Sequence, residues 1–324
     1  MNMSAASMKK RRRVRCTSFA ASLEATKAGQ EILWPRQIPS DCCSESFDPS
    51  SAINGISPGR KLATMNSSRN LTYLSSPGEV NMADQWFEIA SIDHFWVRRR
   101  FEVLQRLAGS LIPGAREIAE IGCGHGLVQR QIEDTYGREV TGFDRNEFAL
   151  KKSLSRRSNI CCYDIHQQDA SLQGRFDLVL LFDVFEHITD EERFLAALKF
   201  HLAPGGKLVV NVPAGRWLHS AYDEAVGHLR RYSIRSLRDS AARSNLQVTK
   251  WSYWGLPLVP ALVLRRLWLL GNHDKDKIVS AGFSSRTKAF NQLLGLVSRF
   301  EPTPQRLLGT SVMAVLEADG RLTA

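Results

Sequence analysis

Residues 82–324 are predicted to form an α/β fold, a mostly parallel sheet with helices on both faces. Three observations predict it. Strand-like apolar runs alternate with helix-spaced segments from Glu117 onward. The run Phe176-Asp177-Leu178-Val179-Leu180-Leu181-Phe182 is nearly all apolar, as a strand buried on both faces requires. Successive strands end in glycine or aspartate, at Gly122, Asp144, Asp164 and Asp183. Open α/β sheets bind ligands beyond these carboxyl ends.

The elements follow in order. Trp86, Phe87, Ile89, Ile92, Phe95, Trp96, Val97, Phe101, Val103, Leu104 and Leu107 recur at helical spacing, which predicts one or two helices before Ile112-Pro113-Gly114. Their aromatic content suits packing on the sheet, or a lid over the ligand. Strands are expected at 116–121, 139–143, 159–163, 176–182 and 207–212. Helices are expected at 126–136, 146–155 and 190–201, the last stopped by Ala203-Pro204-Gly205-Gly206. Beyond Pro213 lies an irregular stretch to Tyr232. A helix capped by Ser233 follows over 234–244, then a strand over 247–253. Residues 256–300 read as an apolar helical insertion, with Pro257 and Pro260 arguing against one straight helix. Its end leads into a last strand at 310–317.

Residues 1–81 are rich in Ser, Pro, Asn and Gly and show no apolar periodicity. They are read as a disordered basic tail, with Met82 a natural alternative start. Lys9-Lys10-Arg11-Arg12-Arg13-Val14-Arg15 is a basic cluster, and the acid-poor stretch before Glu24 is loosely transit-peptide-like. No apolar segment follows to make a secretory leader. The net charge is +10. The tail holds 11 basic and 6 acidic residues against 32 and 27 in the rest, so charge density is highest in the tail. That balance admits an anionic partner, but no nucleic-acid-binding module accompanies it. The six cysteines lack C-x-x-C spacing, which argues against a zinc ribbon or dithiol site and for reduced thiols in a cytoplasmic protein. No run reaches the roughly 18 apolar residues of a membrane-spanning helix.

The centre of the pattern is Glu120-Ile121-Gly122-Cys123-Gly124-His125-Gly126, between a predicted strand and a predicted helix. Glycine permits positive φ and close approach of a ligand to the backbone, and the helix start offers free N–H groups. The spacing is Gly-x-Gly-x-Gly rather than the Gly-x-Gly-x-x-Gly of dinucleotide binders. Asp144, 22 residues after Gly122, is placed to accept from a ribose diol, and Asp164 from an exocyclic adenine amine.

The glycine motif, Gly142-Phe143-Asp144, Phe176-Asp177-Leu178-Val179 and Leu202-Ala203-Pro204-Gly205-Gly206-Lys207-Leu208 together resemble the ordered motifs of class I S-adenosylmethionine-dependent methyltransferases. The resemblance runs from about Asp84 to Glu317. It implies a Rossmann-like seven-stranded sheet whose last strand is antiparallel. It also implies S-adenosylmethionine held by Glu120, Gly122, Cys123, Gly124 and Gly126 at its methionyl part, by Asp144 at the ribose and Asp164 at the adenine, with Arg145 a further cofactor contact and Asp183 nearest the reacting centre. Asp223-Glu224-Ala225-Val226-Gly227-His228-Leu229-Arg230-Arg231-Tyr232 is similar to a segment of a bacterial subgroup linked to cell-surface sugar, lipid or natural-product chemistry.

The reaction so implied moves a methyl group to an O or N acceptor, less readily a C acceptor, on a small molecule, lipid or glycan precursor. His228, His187 and Asp183 are the catalytic candidates, since imidazole titrates near neutral pH. Asp223, Arg230, Arg231 and Tyr232 are substrate-binding candidates, although the arginines could equally pair with Asp223 and Glu224. No metal is expected, with one alternative. Asp183, Glu186 and His187 at i, i+3 and i+4, joined by His228, would suit a divalent ion, and the pattern is similar to that of metal-assisted RNA-end and quinone-precursor methyltransferases. Arg265 and Arg266 interrupt the apolar 256–270 run and could face lipid headgroups, so peripheral membrane contact is a further expectation. Rival readings are an RNA or other nucleic-acid methyltransferase and a non-catalytic cofactor-binding partner subunit.

Overall fold

A computed structural model describes residues 71–78, 91–269 and 288–318. Its strands are β1 (Thr72–Tyr73), β2 (Ile118–Ile121), β3 (Thr141–Asp144), β4 (Ile160–Cys162), β5 (Phe176–Phe182), β6 (Leu202–Pro213), β7 (Leu246–Trp254) and β8 (Ser311–Ala318). They form one sheet in the order β1-β4-β3-β2-β5-β6-β8-β7. Pairing is parallel from β1 through β6, and β8 runs antiparallel to both β6 and β7. From β2 the chain builds outward through β3 and β4, then returns to place β5 on the other side of β2. The carboxyl ends of β2 and β5 therefore flank a topological switch point, where such sheets open a crevice.

Besides a single turn at Leu111–Gly114, the described helices are α1 (Phe95–Ala108), α2 (Leu127–Tyr136), α3 (Glu147–Lys151), α4 (Glu191–His201), α5 (Ala221–Ala225), α6 (Ile234–Arg243), α7 (Val259–Leu269) and α8 (Lys288–Arg299). Alternation along the strands separates two cores. Val179 and Leu181 of β5 pack with Val210, Ala314, Leu198 and Leu237, towards α4 and α6. Leu178, Leu180 and Phe182 pack with Phe101, Leu104, Val128 and Ile132, towards α1 and α2. The aromatic-rich N-terminal helix is thus a core element.

Three local details differ from expectation. The sheet has eight strands rather than seven, because Thr72–Tyr73 adds to the β4 edge, opposite Cys161 and Cys162. Residues 71–78 therefore belong to the sheet domain, not to a disordered tail; residues 1–70 and 79–90, with the expected helical positions Trp86, Phe87 and Ile89, lie outside the described residues. β6 starts at Leu202 rather than 207, with the Ala203–Gly206 turn retained as an irregularity opposite Phe176 and Leu178. Gly205 there has φ +75°, and a Cβ on Gly206 would approach the Ala203 and Phe176 carbonyl oxygens to within 3 Å. The apolar insertion opens with a short turn at Leu256–Leu258, and α7 then carries Pro260 in its first turn, where its missing N–H costs nothing. Residues 270–287 of the insertion lie outside the described residues. Among the described residues, no helix is long and apolar enough to cross a membrane.

One buried carboxylate ties the loop before β4 to α2. Glu133, 4% exposed, accepts from the Ser155 and Ser158 hydroxyls (2.7 and 2.6 Å) and the backbone N–H groups of Arg156, Arg157 and Ser158 (2.7, 3.0 and 2.8 Å).

Candidate functional site

The glycine turn after β2 sits at the switch point. Gly122, Gly124 and Gly126 have φ +73°, +53° and +75°, all in the region closed to most side chains. The Gly122 and Cys123 N–H groups donate to Phe143 O on β3 (2.7 and 3.1 Å). A Cβ on Gly122 would run into Val184, just beyond β5, so glycine also lets these two loops meet. Cys123 is buried, and burial pushes its thiol well up, which leaves it an inert packing group.

Asp144 braces the turn. Its carboxylate accepts from the Gly124 N–H (2.7 Å) and, through the other oxygen, from the Asn146 N–H (2.8 Å). Burial raises its pKa, opposed by these backbone bonds. A carboxylate has about four lone-pair sites, so these bonds leave Asp144 unsaturated. Glu120 lies beneath, 3% exposed, with no partner for Oε2. Burial, opposed by Arg100, pushes its carboxyl up to about 8. A buried carboxyl oxygen without a protein partner beside a glycine turn is open to a hydrogen bond with a ligand.

Asp164 is more occupied. Its carboxylate caps the next turn through His166 N–H (3.0 Å) and pairs with Arg145 at 3.5 Å, and its own N–H donates to Ser75 Oγ (2.8 Å). The Arg145 carbonyl accepts from Gly78 N–H (3.1 Å). Residues 75–78 thus wall the outer side of the Asp144–Asp164 end. A two-residue strand carries too weak a pattern for sequence reasoning to find.

Asp183 holds a left-handed φ of +58° and is pinned. Arg100 of α1 forms a short ion pair with one oxygen, and Asn211 Nδ2 of β6 donates to the other (2.8 Å). Asn211 Oδ1 in turn accepts from Trp254 Nε1 (2.9 Å). Arg100 also lies over the Trp96 and Phe182 rings, at 4.9 and 5.4 Å. Sequence reasoning missed Arg100. The signal was a charge on the apolar stripe of α1, between Val97 and Phe101, where a cation survives only if paired.

His187 and His228 come together, with ring centroids 5.0 Å apart. His187 Nδ1 bonds the Gly227 carbonyl (3.0 Å) and its Nε2 is buried without a partner. Burial and His228, opposed by the Gly227 bond, lower the His187 pKa to about 4, so the ring stays neutral. His228 Nδ1 bonds Asp223 Oδ1 (3.0 Å) and its Nε2 lies 3.8 Å from Glu186 Oε1. Glu186 is fully buried with no partner on either oxygen. Its burial, with Asp183 and Asp223 nearby, raises its pKa well above the carboxylate range. Asp183 stands outside this cluster, unlike in the alternative four-ligand set.

The proposed substrate-binding side chains turn inward instead of forming an open patch. Asp223 accepts from Ser220 N–H (3.0 Å), His228 and Arg231 Nε (2.8 Å). Burial opposes its charge, but His228 and Arg231 hold its carboxyl well below the usual range. Arg230 pairs with Glu191 (2.7 Å) rather than Glu224, and the Tyr232 hydroxyl donates to the same Glu191 oxygen (2.7 Å). In this arrangement Asp223 and Arg231 orient His228, while Arg230 and Tyr232 anchor the segment to α4.

Residues 82–250, a little over half of the chain, match a family model described as a methyltransferase domain. The chain belongs to that family. A ubiquinone biosynthesis O-methyltransferase of Rhodopseudomonas palustris is 35% identical over 127 residues, 37% of this chain and 47% of its own. A Mycolicibacterium smegmatis protein named "Probable S-adenosylmethionine-dependent methyltransferase" is 33% identical over 125 residues, 37% of this chain and 46% of its own. The tocopherol O-methyltransferase of Arabidopsis thaliana is 28% identical over 122 residues, 34% of each chain. The chain spans less than half the length of these curated relatives. Among solved structures, a SAM-dependent methyltransferase from Archaeoglobus fulgidus is 18% identical at a TM-score of 0.42, covering 68% of this chain and 94% of that one.

Proposed function

We propose that this methyltransferase-family chain binds S-adenosylmethionine and moves its methyl group to an O or N acceptor on a small, partly apolar molecule. The observation that carries the cofactor reading is the Asp144 carboxylate, which braces the glycine turn at the switch point and is not saturated by the bonds it accepts. Glu120, whose Oε2 is buried without a partner, supports it from beneath. Bound there, the cofactor supplies a methyl carbon made electrophilic by its sulfonium. The chain's part is alignment and exclusion of water. The glycine turn and Asp144 fix one partner. Arg100 and Asn211 hold Asp183 rigid beside it, and Arg145 with residues 75–78 closes the outer side. Glu186 and His187, in the loop that borders the turn through Val184, and His228 beside them face the acceptor. The relatives' names, ubiquinone biosynthesis and tocopherol O-methyltransferase, support an O acceptor on an apolar ring or chain. Labelled S-adenosylmethionine incubated with extracted lipids, glycans and small metabolites tests this. Label should enter an organic-extractable O- or N-methyl product. Incorporation confined to RNA would overturn the reading.

Peripheral membrane contact is part of the same proposal. The exposed stripe of α7 is Pro260, Ala261, Leu264, Leu267 and Trp268, while Arg265 lies inward over the Tyr222 ring at 4.2 Å. On α8, Leu293, Leu296 and Val297 are exposed and Ser298 is buried. Both helices thus turn apolar side chains outward, the reverse of a surface helix in water. Neither contains Asp or Glu, and Arg266 and Arg299 flank the stripes. That charge matches an anionic lipid surface rather than a second copy. The chain should float with phosphatidylglycerol vesicles at low salt, and Leu264→Glu with Trp268→Glu should release it. A lipid-independent dimer dissociated by the same pair would show that the stripe meets another copy.

A further inference from the structure

We infer that Arg265 of α7 binds an anionic group of the acceptor, a carboxylate or a phosphate, and so selects acidic, amphipathic substrates. The anion site stands on geometry alone, whereas its role in holding the acceptor rests on the methyltransferase reading.

α7 has an outer and an inner face. Leu264, Arg266, Leu267 and Trp268 are exposed. Arg265 turns the other way. Its guanidinium lies over the Tyr222 ring at 4.2 Å, and its Nε is buried with no hydrogen-bond partner. Arg100, Arg230, Arg231 and Arg243 each have a carboxylate, but among the described residues Arg265 has none. A guanidinium taken from water needs a counter-charge, and a ring face supplies only part of what it loses.

Nothing local supplies the missing charge. Tyr222 is buried, and burial pushes its phenol pKa far up, so it stays neutral. Asp223, the next residue, is already taken by Ser220 N–H, His228 and Arg231. Burial lowers the Arg265 pKa, and Tyr222 and Asp223 offset that only in part. α7 packs on α5 and on the turn at Arg216–Leu218, and these two contacts bracket His219, whose Nε2 is also buried without a partner.

The surplus cation lies beside the acceptor side of the site. Tyr222 adjoins Asp223, which holds His228 Nδ1 at 3.0 Å, and the phenol also feels the Asp183 charge at the end of β5. One small molecule can therefore set an anionic group on Arg265 and its methyl-accepting atom near His228. The planar guanidinium fork matches a carboxylate or phosphate. Ala221, Ala225, Val226 and Leu269 pack around Tyr222, so the surroundings of the charge suit an apolar body.

The full chain, with and without S-adenosylhomocysteine, is titrated calorimetrically with octanoate, octyl phosphate and uncharged octanol. Charge-assisted bonds correspond to roughly 10- to 100-fold in affinity, so at least one anion should bind about tenfold or more tighter than octanol. Arg265→Gln should bring that preference below about twofold, and Arg265→Lys, which keeps the charge without the fork, should fall between. The preferred anion should raise the Tm of the native chain and not that of the glutamine variant. Equal binding of all three probes by the folded native chain would overturn the site. So would a glutamine variant with lowered Tm and the preference intact, the mark of a structural arginine. Vesicles separate the other source of the same chemistry. Selectivity for phosphatidylglycerol over phosphatidylcholine that Arg265→Gln abolishes, with no preference among the soluble probes, would assign the cation to a lipid headgroup and overturn the acceptor role. S-adenosylhomocysteine binding, read in the same samples, keeps the two readings apart. Its absence with the anion preference retained removes the cofactor assignment and leaves the anion site, and the converse does the opposite.

Discussion

Asp144→Ala is expected to bind S-adenosylhomocysteine about 100-fold more weakly than the native chain, a loss of roughly 3 kcal/mol. Two effects add. The substitution removes the acceptors reserved for the ribose diol, and hydrogen bonds to a charged group contribute about 1.5–3 kcal/mol each. It also frees the Gly124 N–H, which the carboxylate now holds at 2.7 Å, so a turn with three left-handed glycines loses its brace. Asp144→Asn keeps one acceptor oxygen and should lose only about tenfold. Calorimetric titration checks both, and near-native binding by the alanine variant would remove the cofactor assignment.

Glu133→Gln should lower stability by about 2–4 kcal/mol and Tm by roughly 5–10 °C without touching ligand binding. The glutamine amide would point donors at backbone N–H groups of Arg156, Arg157 and Ser158, which can only donate. The native carboxylate also makes the fold acid-sensitive. Burial works against its charge, but the Ser158 and Ser155 hydroxyls and the backbone N–H groups lower its pKa from 4.5 to about 2. A depressed carboxyl contributes fully above its unfolded value and loses that contribution as pH falls through the folded one. About 3 kcal/mol should therefore disappear between pH 4.5 and pH 2 in the native chain but not in the variant. Denaturant melts across that window measure the difference.

Much of the architecture was legible because period and punctuation agreed. Val179 and Leu181 go to one core and Leu178 and Leu180 to the other, and that two-sided burial is what the unbroken apolar run encodes. Gly122, Asp144 and Asp183 were legible as strand-end residues, since topology alone carries them to the crevice. What escaped depends on non-local pairing. Arg100 meets Asp183 across 83 residues, and Ser75 meets Asp164 across 89. No local pattern encodes either contact. The Asp223–Tyr232 segment was visible as a cluster of charges, but the direction of its side chains was not. Whether Arg230 and Arg231 look outward or inward is decided by Glu191 and Asp223, whose positions the fold supplies.

The small strand at Thr72–Tyr73 bears on where this protein can be cut. A chain begun at Met82 would lack it, and β4 would become the outermost strand, its outward backbone groups open to pairing with any other chain. The lost residues include Ser75 and Gly78, which touch Asp164 and Arg145. Shortening would thus create a sticky flank and strip one wall of the ligand crevice together, so poor solubility and weak binding should arrive as a single defect.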